Sequence, residues 1–237
     1  MTMAEYRHEY KYLAPESTLA ILEQRVSAIL RPDSHADGSG AYTVRSLYFD
    51  DLFDSCMREN SDGTEPREKF RLRIYNNDAS HISLELKRKK QGKTQKLSCP
   101  LSGERCRAIL EGKIPSVDSG DHFLYKKLLM LMRSRGLRPV TIVSYERTPF
   151  VWQQGNVRIT FDRSITSADD FSCFFSDELP CRPVLPSVVN LLEVKFDEFL
   201  PDFIFEILQT GRLKQTSFSK YYICRKYQMA GPVYAYF

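Results

Sequence analysis

Short stretches of strict alternation between apolar and ionisable residues recur along the chain and predict strands as its main elements. In residues 67–75, Phe70, Leu72 and Ile74 fall on one face while Lys69, Arg71 and Arg73 fall on the other. Ile82, Leu84 and Leu86 oppose Glu85, Lys87 and Lys89 in the same way. Further on, Val157, Ile159 and Phe161 oppose Arg158, Thr160 and Asp162, and Leu192, Val194 and Phe196 oppose Glu193, Lys195 and Asp197. The pattern predicts strands at about 7–13, 42–50, 67–75, 82–90, 95–101, 139–152, 157–163 and 191–196. Helical spacing is confined to 15–30, 52–60, 103–112, 123–135, 201–211 and 217–227. The first of these carries an apolar stripe of Leu19, Leu22, Val26, Ile29 and Leu30. Strands that mostly neighbour one another in sequence, with a handful of helices, predict an α+β fold on an antiparallel sheet.

Composition narrows the class. Hydrophobic residues make up 42% of the 237 and aromatics 12%, enough for a proper core and against a disordered chain. The breaks at 37–40, 60–66, 76–78 and 116–121 read as turns, so the whole chain, 1–237, is expected to be one domain. The six cysteines show no CxxC pair and are expected to be reduced thiols of a cytoplasmic protein. The amino terminus lacks the apolar core of a signal peptide, and no apolar run approaches a membrane span. The formal net charge of +4 implies little, but its distribution does. Between Arg67 and Lys96 stand ten Lys/Arg residues against Glu68, Asp78 and Glu85.

A half-exposed sheet with a solvated charged face would explain any one of these strands. The recurrence of Arg at 71, 73, 147 and 158 points further, because the guanidinium fork suits fixed binding of phosphate oxygens. If helices cover the apolar faces and about eight strands close into a barrel, the polar faces turn inward. Such an interior needs a polyanion or a metal to compensate its cations. Arg71, Arg73, Arg147 and Arg158 are therefore expected in one cavity. An RNA-binding face would interleave aromatics with those cations. Phe70, Tyr75 and Phe161 are instead expected mostly on the apolar side, so no nucleic acid partner is expected. His8, His35, His81 and His122 lie near breaks or strand ends and are read as bystanders.

The chain contains, in order, Glu9-x-Lys11, Ser46-Leu47-Tyr48-Phe49-Asp50, Phe70-Arg71-Leu72-Arg73, Leu84-Glu85-Leu86-Lys87, Tyr145-Glu146-Arg147-Thr148, Val157-Arg158-Ile159-Thr160-Phe161-Asp162, Leu192-Glu193-Val194-Lys195 and Phe218-Ser219-Lys220-Tyr221. This ordered set resembles the catalytic domain of the vacuolar transporter chaperone (VTC) polyphosphate polymerases, within the triphosphate tunnel metalloenzyme superfamily. The resemblance implies a closed eight-stranded tunnel with helices outside and a C-terminal helix at one mouth. It also implies transfer of the γ-phosphate of ATP or another triphosphate to inorganic phosphate or a polyphosphate chain, aided by Mn2+ or Mg2+. Hydrolysis of tripolyphosphate or nucleoside triphosphate in the same tunnel is the first alternative, and a non-catalytic polyphosphate-binding module the second.

Carried across residue by residue, the phosphate-binding set is Lys11, Arg58, Arg71, Arg73, Lys87, Lys96, Arg147, Arg158, Ser219 and Lys220. The catalytic set is Lys11, Arg71, Arg73, Lys87, Arg147, Arg158 and Glu193, with Glu193 as principal metal ligand. Lys93 competes with Lys96 for one position. The first strand reads Arg7-x-Glu9-x-Lys11 where many tunnel enzymes carry Glu-x-Glu-x-Lys, which leaves fewer ligands for a second metal. Ser217 stands where the family pattern has a Lys, and Lys214 is the nearest substitute. On this reading Lys220→Ala should lower triphosphate affinity without changing the melting temperature. Glu193→Gln should leave stability level or slightly higher, because a charge facing a desolvated interior is costly.

Overall fold

The computed structural model describes residues 6–34, 36, 40–209 and 213–231. In chain order the elements are β1 (His8–Pro15), α1 (Glu16–Ser27), β2 (Arg31–Pro32), β3 (Tyr42–Asp50), α2 (Ser55–Ser61), β4 (Arg67–Tyr75), β5 (Ile82–Lys90), β6 (Lys93–Leu101), α3 (Gly103–Leu110) and α4 (Phe123–Arg135). There follow β7 (Arg138–Trp152), β8 (Val157–Ala168), β9 (Arg182–Pro183), β10 (Val189–Phe196), α5 (Asp202–Ile207) and α6 (Lys220–Ala230). The alternation therefore located eight strands and six helices. The two-residue strands β2 and β9 carry no readable period, and only their pairing with β7 and β8 defines them. Residue His35 and the end of the helix expected over 201–211 lie outside the described residues.

The sheet is antiparallel in the order β1-β10-β8-β7-β3-β4-β5-β6, and it curls. Its convex face is covered in two places. Leu72, Ile74, Leu84 and Leu86 pack with Leu124 and Leu128 of α4 and with Ile109 of α3. Ile159, Phe161, Leu192 and Val194 pack with Leu19, Leu22 and Val26 of α1 and with Ile204 of α5. A third apolar cluster joins Tyr145, Val143, Ile165 and Leu191 to Tyr221, Ile223 and Cys224 of α6. Once helices occupy the convex face, period two leaves the concave face to the ionisable half of each strand.

The expected closed barrel is not what forms. Among the described residues, edge strands β1 and β6 meet only at the bridge between Arg7 and Thr94, whose two backbone hydrogen bonds are both 2.9 Å. The two strands run antiparallel and touch near the start of each. From His8 onward β1 therefore runs past the β5–β6 turn at Gln91 and Gly92, where β6 has no residues left to pair. The edge of β1 is instead met by the segment before α6. Tyr12 bridges Gln215, and Thr216 N–H donates to the Lys11 carbonyl at 2.8 Å. Among the described residues no helix is long and apolar enough to cross a membrane.

Helix α6 starts at Lys220, three residues later than expected, because the Ser219 hydroxyl caps it by accepting from Tyr222 N–H. Its tie to the sheet is the fully buried Asp50, which ends β3. The Asp50 carboxylate accepts from Cys56 N–H at 2.9 Å and Met57 N–H at 3.1 Å in α2, and from the Tyr221 hydroxyl. Asp50→Ala leaves these donors buried and unpartnered, each costing about 1–3 kcal/mol. The variant is expected to lose about 3 kcal/mol in urea unfolding and to loosen α6 first, read as faster amide exchange over residues 220–224.

Candidate functional site: a cationic cavity on the concave face

The concave face encloses a cavity of about 650 Å³. Ten Lys/Arg side chains line it, from β1, β4, β5, β7, β10 and α6, against the two carboxylates Glu9 and Glu193. Strand β4 alone supplies Lys69, Arg71 and Arg73 because its opposite face, Phe70, Leu72 and Ile74, is committed to the core. Two like charges about 4 Å apart cost about 4 kcal/mol even at an effective dielectric of about 20, several times the net worth of an ordinary hydrogen bond. The fold manages this with four buried carboxylates.

Glu85 on β5 accepts from Arg71 Nε at 2.6 Å, and its Oε2 lies 3.8 Å from Arg73 Nη1. Lys96 Nζ sits 3.3 Å from its other oxygen. Burial pushes the Glu85 carboxyl up, but Arg71, Arg73 and Lys96 outweigh it and hold it far below the usual carboxylate range. Asp162 on β8 binds Arg147 in a two-pronged fork at 2.6 and 2.7 Å and also meets Lys220 at 2.6 Å. Glu193 on β10 accepts from Lys220 at 2.7 Å and Lys195 at 3.0 Å, with Arg147 at 3.4 Å and Lys11 at 4.0 Å. Burial works against its charge, yet Lys195, Lys220, Lys11 and Arg147 together hold the carboxyl well below the ordinary range. Glu9 is paired with Lys87 at 2.8 Å and Lys11 at 3.3 Å, and is likewise depressed against its burial by Lys11, Lys87 and Lys195.

Two lysines of the cavity are held at the edge of their charged range by burial. Burial, with Arg67 nearby, pulls the Lys69 ammonium down to about 7, although it donates to Asn60 at 2.7 Å and sits 4.7 Å over the Tyr221 ring. Burial likewise brings Lys87 down to about 8 despite Glu9. Tyrosines complete the lining: Tyr48 accepts from Arg71 at 2.9 Å, and Tyr145 lies beneath Lys220 and Arg147.

The residues singled out in the sequence divide accordingly. Lys11, Arg71, Arg73, Lys87, Arg147, Glu193, Ser219 and Lys220 share the cavity. Arg158 does not line it. The guanidinium is held by Asp33 at 2.8 Å and by the Tyr42 hydroxyl at 2.9 Å, and it borders a second cavity. Arg58 is exposed on α2, where Asn60, two positions on and therefore on a different helix face, takes the place at the cavity. Lys96 reaches Glu85 from the open edge strand, half exposed, and Lys93 pairs with Glu198 outside the cavity. Lys214 is exposed and does not line the cavity, whereas Ser217 does. His8, read as a bystander, lines the cavity with its ring stacked 5.0 Å from Phe196. Lys69, Lys195 and Glu9 were passed over as site residues, although period two places Lys69 beside Arg71 and Lys195 beside Glu193. Tyr75, expected on the apolar side, shares the face of Arg73 and packs on Tyr42, because it stands two positions after Arg73.

A divalent ion needs several hard oxygen ligands. Among the described residues no three His, Cys, Asp or Glu side chains come together to hold one. Glu193 is the only candidate ligand from the sequence, and its oxygens already face Lys220, Lys195, Arg147 and Lys11. The chain's own side chains therefore do not fit a preformed metal site.

A curled antiparallel sheet of eight strands with a cationic concave face and helices outside is the architecture of the triphosphate tunnel metalloenzymes. The chain superposes on a candidate adenylate cyclase from Bacillus halodurans with TM-score 0.54 at 16% identity, over 97% of this chain and 99% of that one. It superposes on a candidate adenylyl cyclase from Hippeastrum, described as having a dominant triphosphatase activity, with TM-score 0.53 at 14% identity, over 93% and 95% of the two chains. No curated protein matches it by sequence. The family model of the VTC domain matches residues 6–228, and the chain belongs to that family.

Two outcomes follow from the charge balance. Glu193 is the shared counter-ion of four cations, so the sequence-based expectation for Glu193→Gln reverses. The variant should lose about 3 kcal/mol in denaturant unfolding, the scale of breaking a buried ion pair. By the same reasoning Lys220→Ala, which takes one cation from both Asp162 and Glu193, lowers the melting temperature rather than leaving it alone.

The second outcome concerns pH. Between about 7 and the ordinary lysine value of 10.5, unfolded Lys69 holds a proton that the folded protein has shed. The unfolded state binds more protons there, so this residue makes stability rise with pH through that window. Lys69→Met should flatten the rise in melting temperature measured between pH 7 and 9.

Proposed function

We propose that the cavity binds the triphosphate of ATP or another nucleoside triphosphate, and that the protein transfers the terminal phosphoryl group to inorganic phosphate or the end of a polyphosphate chain. The observation that carries this reading is the surplus of ten cations in one partly desolvated cavity over the four carboxylates, Glu9, Glu85, Asp162 and Glu193, that meet them. Such a surplus is costly when empty and is relieved by a flexible polyanion.

Phosphoryl transfer asks the protein mainly for alignment and for stabilisation of the charge on the transferring group. Arg71, Arg73 and Arg147 meet both needs, because Glu85 holds Arg71, Ser46 and Tyr145 hold Arg73, and Asp162 forks Arg147 before any ligand arrives. Lys11, Lys87 and Lys220 supply point charges from three sides, and Ser219 stands at the start of α6, which closes one mouth in this reading. Arg58 and Lys96 fall outside the cavity and take no part in this ground state.

Acceptor choice turns on the same charges. An incoming phosphate is already anionic and needs cations, not a base. Water would be helped by a general base, and the cavity carboxylates are poor ones because neighbouring lysines and arginines depress both Glu9 and Glu193. Hydrolysis is the second reading, favoured by the triphosphatase activity described for the Hippeastrum protein of like fold.

The test is to incubate the purified protein with ATP and either Mn2+ or Mg2+, then resolve long polyphosphate on a gel beside released phosphate. Transfer predicts chains longer than the donor's own three phosphates. Free phosphate alone would identify a hydrolase, and binding without turnover a polyphosphate-binding module. Arg71→Ala, which leaves Glu85 with Arg73 and Lys96, should lower turnover by about 100-fold, the order lost with one strong electrostatic contact to a transition state.

A further inference from the structure

Arg158, on the concave face, is turned away from the main cavity. It stands opposite Lys195 in the β8–β10 pairing, on the same face of the sheet. Lys195 lines the main cavity, while Arg158 lines a second one of about 280 Å³ together with Arg7, Gln153 and Asn156. The boundary between the cavities therefore runs between these two neighbours. Two groups hold Arg158 in place. The Asp33 carboxylate meets Arg158 at 2.8 Å, and Tyr42 accepts from the same nitrogen of Arg158 at 2.9 Å. Tyr42 is in turn packed against Tyr75 with ring centres 5.5 Å apart. Asp33 is buried, and its backbone N–H donates to the Pro149 carbonyl at 3.1 Å just beyond the short β2–β7 pairing. The arginine is held but not satisfied, since its buried Nε has no hydrogen-bond partner among the described residues.

We infer that Asp33, with Tyr42, is a specificity latch that withdraws Arg158 from the phosphate track and so limits the length of phosphate chain the protein grips. This inference rests on the reading of the main cavity as a triphosphate site. A triphosphate is held by the main cavity alone. A longer linear polyphosphate would extend past Lys195 toward the second cavity, where Arg7 and a released Arg158 would meet its further phosphates. With Asp33 in place, Arg158 is already neutralised and the Asp33 carboxylate repels the advancing chain. An arginine fork that accepts a carboxylate accepts a phosphate equally well, so the two compete for one guanidinium.

The experiment measures affinity by calorimetry for inorganic tripolyphosphate and for a much longer linear polyphosphate, with the full chain and three variants. Asp33→Asn keeps the shape and removes the charge. Tyr42→Phe keeps the ring on Tyr75 and removes the other acceptor. Glu104→Gln removes one negative charge from the exposed side of α3, away from both cavities, and controls for net charge. Asp33→Asn should tighten long-chain binding about tenfold, a change of about 1.4 kcal/mol, and leave tripolyphosphate within about twofold. Tyr42→Phe should move the long chain in the same direction by less, and Glu104→Gln should move neither ligand. An equal gain for both ligands, or no gain for the long chain in a variant that still melts cooperatively, would overturn the latch. Should the parent protein bind neither ligand, the triphosphate reading falls and the latch falls with it. Tripolyphosphate binding that persists while the chain-length effect is missing overturns the latch alone.

Discussion

Ten lysines and arginines facing one concavity repel each other, and the way that repulsion is contained organises the rest of the molecule. Glu85 and Asp162 lock the planes of Arg71 and Arg147, while Glu193 and Glu9 stand among the lysines. The carboxylates do not neutralise the cavity. They set which cations are pinned and which are held close to losing their charge. Arg71, Arg73 and Arg147 belong to the first group. Lys69 and Lys87, whose ammonium groups burial has brought to about 7 and about 8, belong to the second.

The convex side makes this possible. A strand can hold three cations in a row on one face only when its other face is worth burying. Leu72 and Leu84 under α4, and Phe161 and Leu192 under α1, supply that burial. Each fully buried aliphatic or aromatic side chain contributes about 1.5–3 kcal/mol, which offsets the strain of crowding charge on the opposite face. Helix α6 works from the inside, tied by Tyr221 to Asp50 while Lys220 reaches Asp162 and Glu193. One helical turn therefore couples the scaffold to the charge network.

Glu193 shows how a residue's place in such a network alters its meaning. As a lone carboxylate on a cationic face it suggests a metal ligand. In the folded chain it is first a counter-ion shared by Lys220, Lys195, Arg147 and Lys11, and no group of three carboxylate, His or Cys side chains forms a metal site among the described residues. Membership of the VTC-domain family and the tunnel fold bring the expectation of a divalent ion. The side chains here present a polyanion site far more plainly than a metal site.

Period-two alternation was enough to locate the eight long strands and to assign which face of β4, β5, β8 and β10 carries chemistry, because side-chain direction in a strand is a local property of the backbone. The same local rule placed Arg71, Arg73 and Arg147 together, and it would have added Lys69 and Lys195 had it been applied to every cation. What it could not decide was set by contacts far apart in sequence. Barrel closure depends on where two edge strands meet, and β1 and β6 meet where β6 begins, so the sheet curls without closing. The fate of Arg158 depends on Asp33, a carboxylate 125 positions away brought alongside by the two-residue β2 pairing, which has no period to read. The pairing of Asp162 with Arg147 and Lys220, which makes one a pinned fork and the other a buried ammonium, likewise exists only once β7, β8 and α6 are packed together. Alternation determines which way a side chain points; only the packed tertiary structure determines which charge it meets there.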